Sequence, residues 1–330
     1  MAAHPVGCVG LFHTMPTDVM PDIENSHFPA GDQSLREAAS ALAGGQIADA
    51  GRHSPGWAAT AASLLEATAR KPGNVHPEAA FADLSYADLQ AAARAIGPPL
   101  DRAGREPLGQ VIHAAVAASR AVSQSNANLG IVLAVAPMAA TVAAGHELVP
   151  AAVRQLLAKL DEADAVAIYA AIRAAGAGGL GRQHRHDVAG PAPRSILAAM
   201  QAAAARTPGD SIAALWAQGY ESLWIGPVAD LAQLEAAGHG WEEAIVRAAV
   251  RQLARTPDSL IARRHGLPAA IEVSRQAAAI ADLSGPAWPT AVAHFDRSLR
   301  RPRRLNPGTT ADLIAAALYI HLWRSITTEG

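Results

Sequence analysis

Apolar residues recur every three to four positions along most of the chain, a spacing that places them on one face of an α-helix. The periodic stretches begin at Ser34 and follow one another to Thr327. Ser54-Pro55 and Asp161 stand where helices should begin, because Ser and Asp cap helix N-termini and proline fits the first turn. No credible strand of five or more residues interrupts the pattern. The chain is therefore predicted to be all-α.

The predicted helices are separated by short loops. After a first helix from Ser34, they cover residues 54–70, 86–97, 108–123, 128–144, 150–159, 161–175, 193–205, 210–224, 228–237, 241–254, 257–264, 267–283, 289–299 and 309–327. No fixed-period repeat and no Pro/Gly/Ser linker divides this region, so we expect one large multi-helix domain over residues 34–330. Residues 1–33 are rich in Pro, Asp and His without helical spacing, so we expect a flexible N-terminal leader.

Composition supports helices and excludes several classes of function. Half of the 330 residues are hydrophobic, dominated by Ala, and only 4% are aromatic, which argues against a sheet-dominated fold. The net charge of −2 gives no basic field to recruit nucleic acid. Cys8 is the single cysteine, so it forms no intramolecular disulfide and no thiolate metal cluster. We therefore expect a reducing, cytoplasmic location.

No membrane association is expected. The chain starts without the basic and apolar regions of a signal peptide, and no pattern specifies an oligomeric state. Residues 129–144 are apolar and uncharged, but the segment is short of a membrane span, contains Pro137 and is followed at once by Gly145-His146-Glu147. This segment is predicted to be a buried core helix.

Four small polar loops interrupt the helices and are the first candidates for function. They are Lys71-Pro72-Gly73-Asn74-Val75, Asn126-Ala127-Asn128-Leu129-Gly130, Gly178-Gly179-Leu180-Gly181 and Asn306-Pro307-Gly308-Thr309-Thr310-Ala311-Asp312. Gly, Asn and Pro are poor choices inside helices, and each loop stands where a helix should begin or end. Backbone amides at such ends, with Lys and Arg close by, are suited to holding phosphates.

The first loop follows a helix that carries Glu66 about one turn earlier. Pro72 stops that helix and Gly73 permits a positive φ. Lys71 would then project from the helix C-terminus beside open backbone amides and meet a phosphate, with Gly73 and Asn74 as further contacts. The alternative is a helix C-cap in which Lys71 complements the helix dipole.

The second and third loops carry other donors. Asn126 and Asn128 exceed what a single N-cap needs, so one could hydrogen-bond a ligand hydroxyl, with Arg120 upstream; the alternative is an ordinary cap with a spare surface asparagine. Arg173 precedes a glycine-rich stretch, including Gly179 and Gly181, that would let backbone approach a ligand closely. That stretch has neither Rossmann nor P-loop spacing, and a flexible connection is the alternative.

Two later segments bring carboxylates and cations together. Asp258 starts a short predicted helix with Arg263 and Arg264 one turn on, and it is either a metal ligand or simply the N-cap.

In the last loop, a cap explains one threonine and Asp312 but not the preceding Asn306-Pro307-Gly308. Asp312 on Mg²⁺, with the amides of Gly308, Thr309 and Thr310 on phosphate, would explain the whole segment. Together the loops supply carboxylates, cations and small donors, an inventory that suits a Mg²⁺-bound polyphosphate nucleotide.

Taken in order, these segments resemble the triphosphoribosyl-dephospho-CoA synthase family. The matching segments are Glu66 with residues 71–75, Asp83-Leu84-Ser85-Tyr86, Ala95-Ile96-Gly97-Pro98, residues 126–130, residues 178–181 with His186-Asp187-Val188, residues 258–266 and residues 306–313. They cover about residues 54–327. The order and spacing of so many segments are more specific than any one of them.

The resemblance implies an all-α enzyme that transfers a triphosphoribosyl group from ATP to the ribose 2′-hydroxyl of 3′-dephospho-CoA and releases adenine. In this family the product is the precursor of a prosthetic group on acyl carrier subunits. The chain differs from the citrate-lyase type, in which the asparagine matching Asn126 is followed by Thr-His-Lys-Gly rather than Ala127-Asn128-Leu129-Gly130.

The resemblance and the residue types together give each candidate a role. Cleaving the bond between adenine and ribose develops positive charge at the anomeric carbon, which a carboxylate would stabilise. We expect the following assignments: Glu66 and Asp258 as catalytic carboxylates, Asp258 and Asp312 on Mg²⁺, Lys71, Arg173 and Arg263 on phosphates, and Asn126 and Asn128 on a ribose.

Two alternatives stay open at this point. One is a related Mg-ATP-dependent transferase acting on a precursor of tetrahydromethanopterin or a similar cofactor, with the same nucleotide site. The other is a non-catalytic nucleotide-binding helical protein, which would bind Mg·ATP without turnover of any acceptor.

Overall fold

The structure, a computed structural model, describes residues 34–44, 54–123, 128–176, 188–206 and 208–327. In these ranges the regular structure is helical, and β pairing is limited to the isolated bridges His76–Ala79, Phe81–Leu84 and Ala103–Glu106. The all-α prediction is confirmed. The expected leader and the predicted site residues Asn126, Gly179 and Gly181 lie outside the described residues.

The helices follow one another in chain order with short connections. They are α1 Leu35–Ala43, α2 Pro55–Thr68, α3 Tyr86–Leu100, α4 Leu108–Val122, α5 Leu129–Ala143, α6 Pro150–Leu157, α7 Glu162–Ala174, α8 Ile196–Ala204, α9 Ser211–Gln218, α10 Glu221–Leu223, α11 Ala229–Ala236, α12 Trp241–Arg255, α13 Ser259–His265, α14 Leu267–Ile280, α15 Ala287–Arg300 and α16 Gly308–Thr327, with a π-helical turn at Trp224–Val228 before α11.

Helix starts follow the capping residues that the sequence offers. The Ser54 hydroxyl accepts a hydrogen bond from the Trp57 amide (3.0 Å) and Pro55 occupies the first turn of α2. Ser34 and Asp161 each form a capping box with the acidic residue three positions later. These caps satisfy amides that would otherwise lack a partner at the helix ends.

Two helix ends differ from the predicted ones. α3 continues through Pro98 and Pro99 to Leu100, because the Asp101 amide still bonds the Gly97 carbonyl (3.1 Å) and completes the last turn. The single helix predicted over residues 210–224 is broken at Gly219, whose φ of 72° ends α9. A left-handed glycine at this position is a common helix terminator.

The core is built around α2, α5 and α16, which are buried along most of their lengths. α16 packs against both α2 and α5. The segment predicted as a buried core helix is therefore α5, and no helix in the described part of the chain is long and apolar enough to cross a membrane.

Pro137 lies inside α5 and lacks the N–H that would bond the Leu133 carbonyl. Trp216 Nε1 donates to that carbonyl at 2.9 Å, and Tyr220 Oη donates to it at 3.3 Å. The segment after α8 is thereby fixed against the middle of α5.

Candidate functional site

The Lys71–Asn74 loop and the Asn306–Asp312 loop meet, although they are far apart in the chain. Asn74 Nδ2 donates to Asn306 Oδ1 at 2.8 Å and to the Pro307 carbonyl at 3.3 Å. Gly73 has a φ of 76°, and a Cβ there would lie 2.9 Å from the Leu305 carbonyl oxygen. Glycine is therefore required where the two loops touch.

Asp258 joins a third segment to the same place. Its Oδ1 accepts from the Leu260 and Ile261 amides (2.9 and 3.0 Å), which makes it the N-cap of α13. Its Oδ2 accepts from the amide and hydroxyl of Thr310 (2.7 and 2.9 Å). Burial raises the Asp258 pKa, and these four hydrogen bonds oppose the rise. Both oxygens are thus engaged by protein donors.

Asp312 is in the first turns of α16 and faces the N-terminus of α5. A Cβ built on Gly130 would lie 2.0 Å from Asp312 Oδ2, so the two helix starts touch at this point. Among the described residues, no donor hydrogen-bonds the Asp312 carboxylate.

The surroundings of Asp312 oppose its ionisation. Burial raises the pKa of Asp312 well above its usual range, and the negative charges of Glu66, Asp258 and Asp210 raise it further. Arg263 acts in the opposite direction. The site is therefore a group of carboxylates with a deficit of positive charge around Asp312.

Glu66 and Lys71 form a buried pair, in contrast to the expected outward-pointing lysine. Lys71 Nζ lies 2.9 Å from Glu66 Oε1, and the lysine side chain is 1% exposed. The ammonium also donates to the carbonyls of Glu66 and Ala69 at the end of α2. The last carbonyls of a helix have no partner within the helix and attract such donors. The Lys71 side chain therefore bonds the end of α2, as in the alternative in which it caps the helix C-terminus.

Two buried nitrogen atoms, one on Asn128 and one on Arg263, have no hydrogen-bond acceptor among the described residues. Asn128 is at the N-cap position of α5 but makes no capping hydrogen bond. Its side chain is 3% exposed, and within the described ranges its Nδ2 is buried without an acceptor. Arg263 pairs with Asp210 and donates to Ser259 Oγ (3.3 Å), while its buried Nε has no acceptor among the residues described.

The amides expected to hold phosphate are partly engaged. The Gly308 amide donates to the Asn306 carbonyl (2.8 Å), and the Thr310 amide donates to Asp258. Thr309 Oγ1 accepts from Ser259 Oγ (3.1 Å). These contacts hold the start of α16 in place.

Other predicted residues are not brought to Asp312 by any described contact. Arg173, in the last turn of α7, donates to the carbonyls of Val188 (3.0 Å) and Gly190 (3.4 Å). Arg120 lies half-buried in the last turn of α4.

Asp210, Asp296 and Arg300 hold the site together but are not found by the sequence reasoning. Asp210 pairs with Arg263, whereas Asp296 Oδ1 accepts from the Gly73 amide (2.8 Å) and pairs with Arg300. Asp210 directly precedes α9 and could be recognised as a cap. Its pairing with α13 depends on how the chain folds.

In this helical protein, carboxylates and helix N-termini lie close together. Such an arrangement is typical of an enzyme that acts on phosphorylated small molecules. Residues 52–329 match the family model described as ATP:dephospho-CoA triphosphoribosyl transferase, so the chain belongs to this family. The resemblance found in the loops is confirmed. The chain is a transferase that moves a triphosphoribosyl group from ATP to dephospho-CoA, and the two alternatives are not favoured.

A solved structure has a similar fold. It is a protein from Archaeoglobus fulgidus described as a candidate triphosphoribosyl-dephospho-CoA synthase, 20% identical, with a TM-score of 0.56 over 70% of this chain and 97% of that one. A comparison with curated proteins finds no significant match.

Proposed function

We propose that the transfer takes place in the group of side chains around Asp312. The bond between C1′ of the ribose and N9 of adenine breaks, and its electron pair leaves with adenine. The 2′-oxygen of the acceptor ribose bonds to C1′, and the proton lost by that hydroxyl balances the proton gained by adenine. The triphosphate stays intact, so the protein has to hold and orient it rather than cleave it.

The observation that carries this proposal is the position of the half-buried Asp312 carboxylate among other carboxylates. Three neighbouring carboxylates raise its pKa, and no described donor hydrogen-bonds it. Such an arrangement is costly in a folded protein and is typical of a binding or catalytic site. A bound cation would relieve the repulsion among Asp312, Glu66 and Asp258.

The donor set fits Mg²⁺ held jointly by protein and substrate. No three His, Cys, Asp or Glu side chains in the described ranges form a metal-binding group. Mg²⁺ commonly binds one or two carboxylates together with substrate phosphates and water. Asp312 would supply the protein ligand, and the bound ion would neutralise and orient the triphosphate.

The phosphates would meet the first turn of α5 and Arg263. Within the described ranges the buried Asn128 amide has no acceptor, and it adjoins the first turn of α5, where backbone amides favour anions. Arg263 lies close enough to lower the Asp312 pKa and has a buried Nε without an acceptor in the described residues. The Lys71 ammonium bonds carbonyls at the end of α2 and pairs with Glu66. Lys71 would therefore hold Glu66 in position rather than bind a phosphate.

Glu66 is the carboxylate that would face the anomeric carbon. It is paired with Lys71 at 2.9 Å, and a carboxylate at this position would stabilise a developing oxocarbenium ion. Asp258 contributes indirectly, because its four hydrogen bonds fix the start of α16 and thereby the position of Asp312.

The test is adenine release from ATP. The full chain is incubated with Mg²⁺, ATP and dephospho-CoA, and free adenine and the coupled product are quantified by chromatography. We expect one adenine for each acceptor modified, with ADP and AMP absent. Release of ADP or AMP in place of adenine would contradict the proposal, because the triphosphate would then be the group attacked.

A further inference from the structure

A groove lies between α14 and the segment that follows α15. Its volume is about 340 Å³. It is lined by α14, through Pro268, Ala269 and Glu272, and by the turn after α15, through Pro302, Arg303 and Leu305. This volume is in the range of small-molecule pockets. The proposed function assigns it no role.

The turn that forms one wall of the groove is rich in arginine. Arg300 pairs with Asp296, while Arg304 pairs with Asp83 and stacks on the Phe81 ring at 4.0 Å. These two arginines fix the turn to the rest of the protein.

Arg297, Arg301 and Arg303 are exposed and have no ion-pair partner within the described ranges. These guanidinium groups are a local excess of positive charge on a chain whose net charge is −2. Of these three, Arg303 alone lines the groove.

The groove is chemically mixed. Pro268, Ala269, Pro302 and Leu305 give it an apolar lining, and the Arg303 guanidinium supplies positive charge. The Glu272 carboxylate at the rim is paired with Arg275 at 2.8 Å, which reduces its repulsion of an anion. Such a surface suits a linear molecule with an apolar arm and a phosphate group.

The groove and the candidate site share one segment of chain. Leu305 lines the groove, and its carbonyl packs against Gly73. The next residue, Asn306, bonds Asn74, and the same loop continues to Asp312. The segment that lines the groove therefore continues directly into the loop that carries Asp312.

We propose that this groove binds the diphosphate-bearing arm of the acceptor, with Arg303 on a phosphate. The inference rests on the proposed function for the identity of the acceptor. In this arrangement the ATP triphosphate binds near Asp312, and the acceptor diphosphate binds in the groove near Arg303. Arg303 is accordingly a determinant of acceptor specificity.

The test is binding of dephospho-CoA to the full chain, measured by calorimetry without ATP. Arg303→Glu should raise the Kd for dephospho-CoA about tenfold, because it replaces a phosphate contact by a like charge. Arg297→Glu is the matched control, since it makes the same charge change on an exposed arginine outside the groove. It should change Kd by less than about twofold. Equal effects of the two variants would overturn the inference.

Steady-state kinetics separate the two substrates. Arg303→Glu should raise KM for dephospho-CoA and leave KM for ATP unchanged, whereas an equal rise in both would overturn the inference. Failure of the proposed function is distinguishable, because it is the absence of adenine release by the unmodified chain. The difference in Kd between Arg303→Glu and Arg297→Glu decides the role of the groove in either case.

Discussion

Asp312 illustrates how a single residue can combine a cost in stability with a role in function. Its carboxylate is placed among the negative charges of Glu66, Asp258 and Asp210, and the resulting pKa lies well above the usual range. A protein selected only for stability would place an amide or an apolar group here. The repulsion between Asp312 and the neighbouring carboxylates has a functional explanation if a cation and a substrate bind beside them.

Asp312→Asn should make the protein more stable at high pH. The folded-state pKa is raised above the unfolded value of about 4, so ionisation disfavours folding as the pH rises through the folded-state pKa. We expect Asn to increase stability by about 1–2 kcal/mol at pH 8 and by much less at pH 4. Thermal denaturation across this pH range measures the difference. A gain that is the same at both pH values would contradict the assignment.

Lys71 was predicted as a phosphate contact, and its buried pairing with Glu66 indicates a structural role instead. Lys71→Met should destabilise the protein by about 3 kcal/mol, because the Glu66 charge would be left buried without its partner. Lys159→Met, at an exposed lysine, is the control and should change stability little. Chemical denaturation measures both. An unchanged stability of Lys71→Met with a raised KM for ATP would favour the phosphate role.

The sequence identifies these residues but not the direction of their side chains. Asp258 and Lys71 each had a capping alternative, and which contacts they make depends on Thr310 and on the α2 carbonyls that the fold brings close. Asn128 was found from its position at a helix start. The absence of a capping bond could only be learned from the structure.

At the scale of elements, the N-termini of α5 and α16 meet at Gly130 and Asp312. Helix existence could be predicted because the apolar spacing is long and regular, and seven of the helices begin at a Ser or Asp whose side chain caps them. The break at Gly219 could not be predicted in the same way, since the apolar spacing of residues 210–224 continues across it. Trp216 before the break and Tyr220 after it both bond the Leu133 carbonyl of α5.

Gly130→Ala tests the contact between these two helices. The added methyl would lie 2.0 Å from Asp312 Oδ2, so the carboxylate must move, and we expect kcat for adenine release to fall about tenfold or more. Helix propensity alone would favour alanine by up to about 1 kcal/mol, which makes unfolding a poor explanation for the loss.

A double-mutant cycle provides the control for Gly130→Ala. In the Asp312→Ala background the added methyl has no carboxylate to displace, so the second substitution should have little further effect on residual turnover. Additive losses of turnover from the two substitutions would show that Gly130 acts independently of Asp312.

At the scale of the whole molecule, segments separated by more than 200 residues come together, as Asn74 and Asn306 do across 232 positions. Spacing along the chain does not predict such contacts. The family resemblance did indicate that the loops act together, because one family model matches residues 52–329, which include all of them. The groove at Arg303 had no sequence signal, since it depends on α14 lying beside the turn after α15.

Joint binding of metal and nucleotide should be visible in the stability of the whole protein. ATP with Mg²⁺ should raise Tm more than either alone, because a ligand that binds only the folded state stabilises it. Chelation of the metal should remove most of the shift, and Asp312→Asn should weaken the Mg²⁺-dependent part. A shift produced by ATP that is indifferent to Mg²⁺ and to Asp312 would contradict the proposed metal site.

The most direct test of the account compares adenine release by the unmodified chain, Asp312→Asn and Asp282→Asn, under saturating ATP, dephospho-CoA and Mg²⁺. Asp282 is exposed and lies outside the site, so it controls for the same chemical change. We expect a loss of about a hundredfold or more in kcat for Asp312→Asn and an unchanged rate for Asp282→Asn. Equal rates in all three proteins would contradict the claim that the transfer takes place around Asp312.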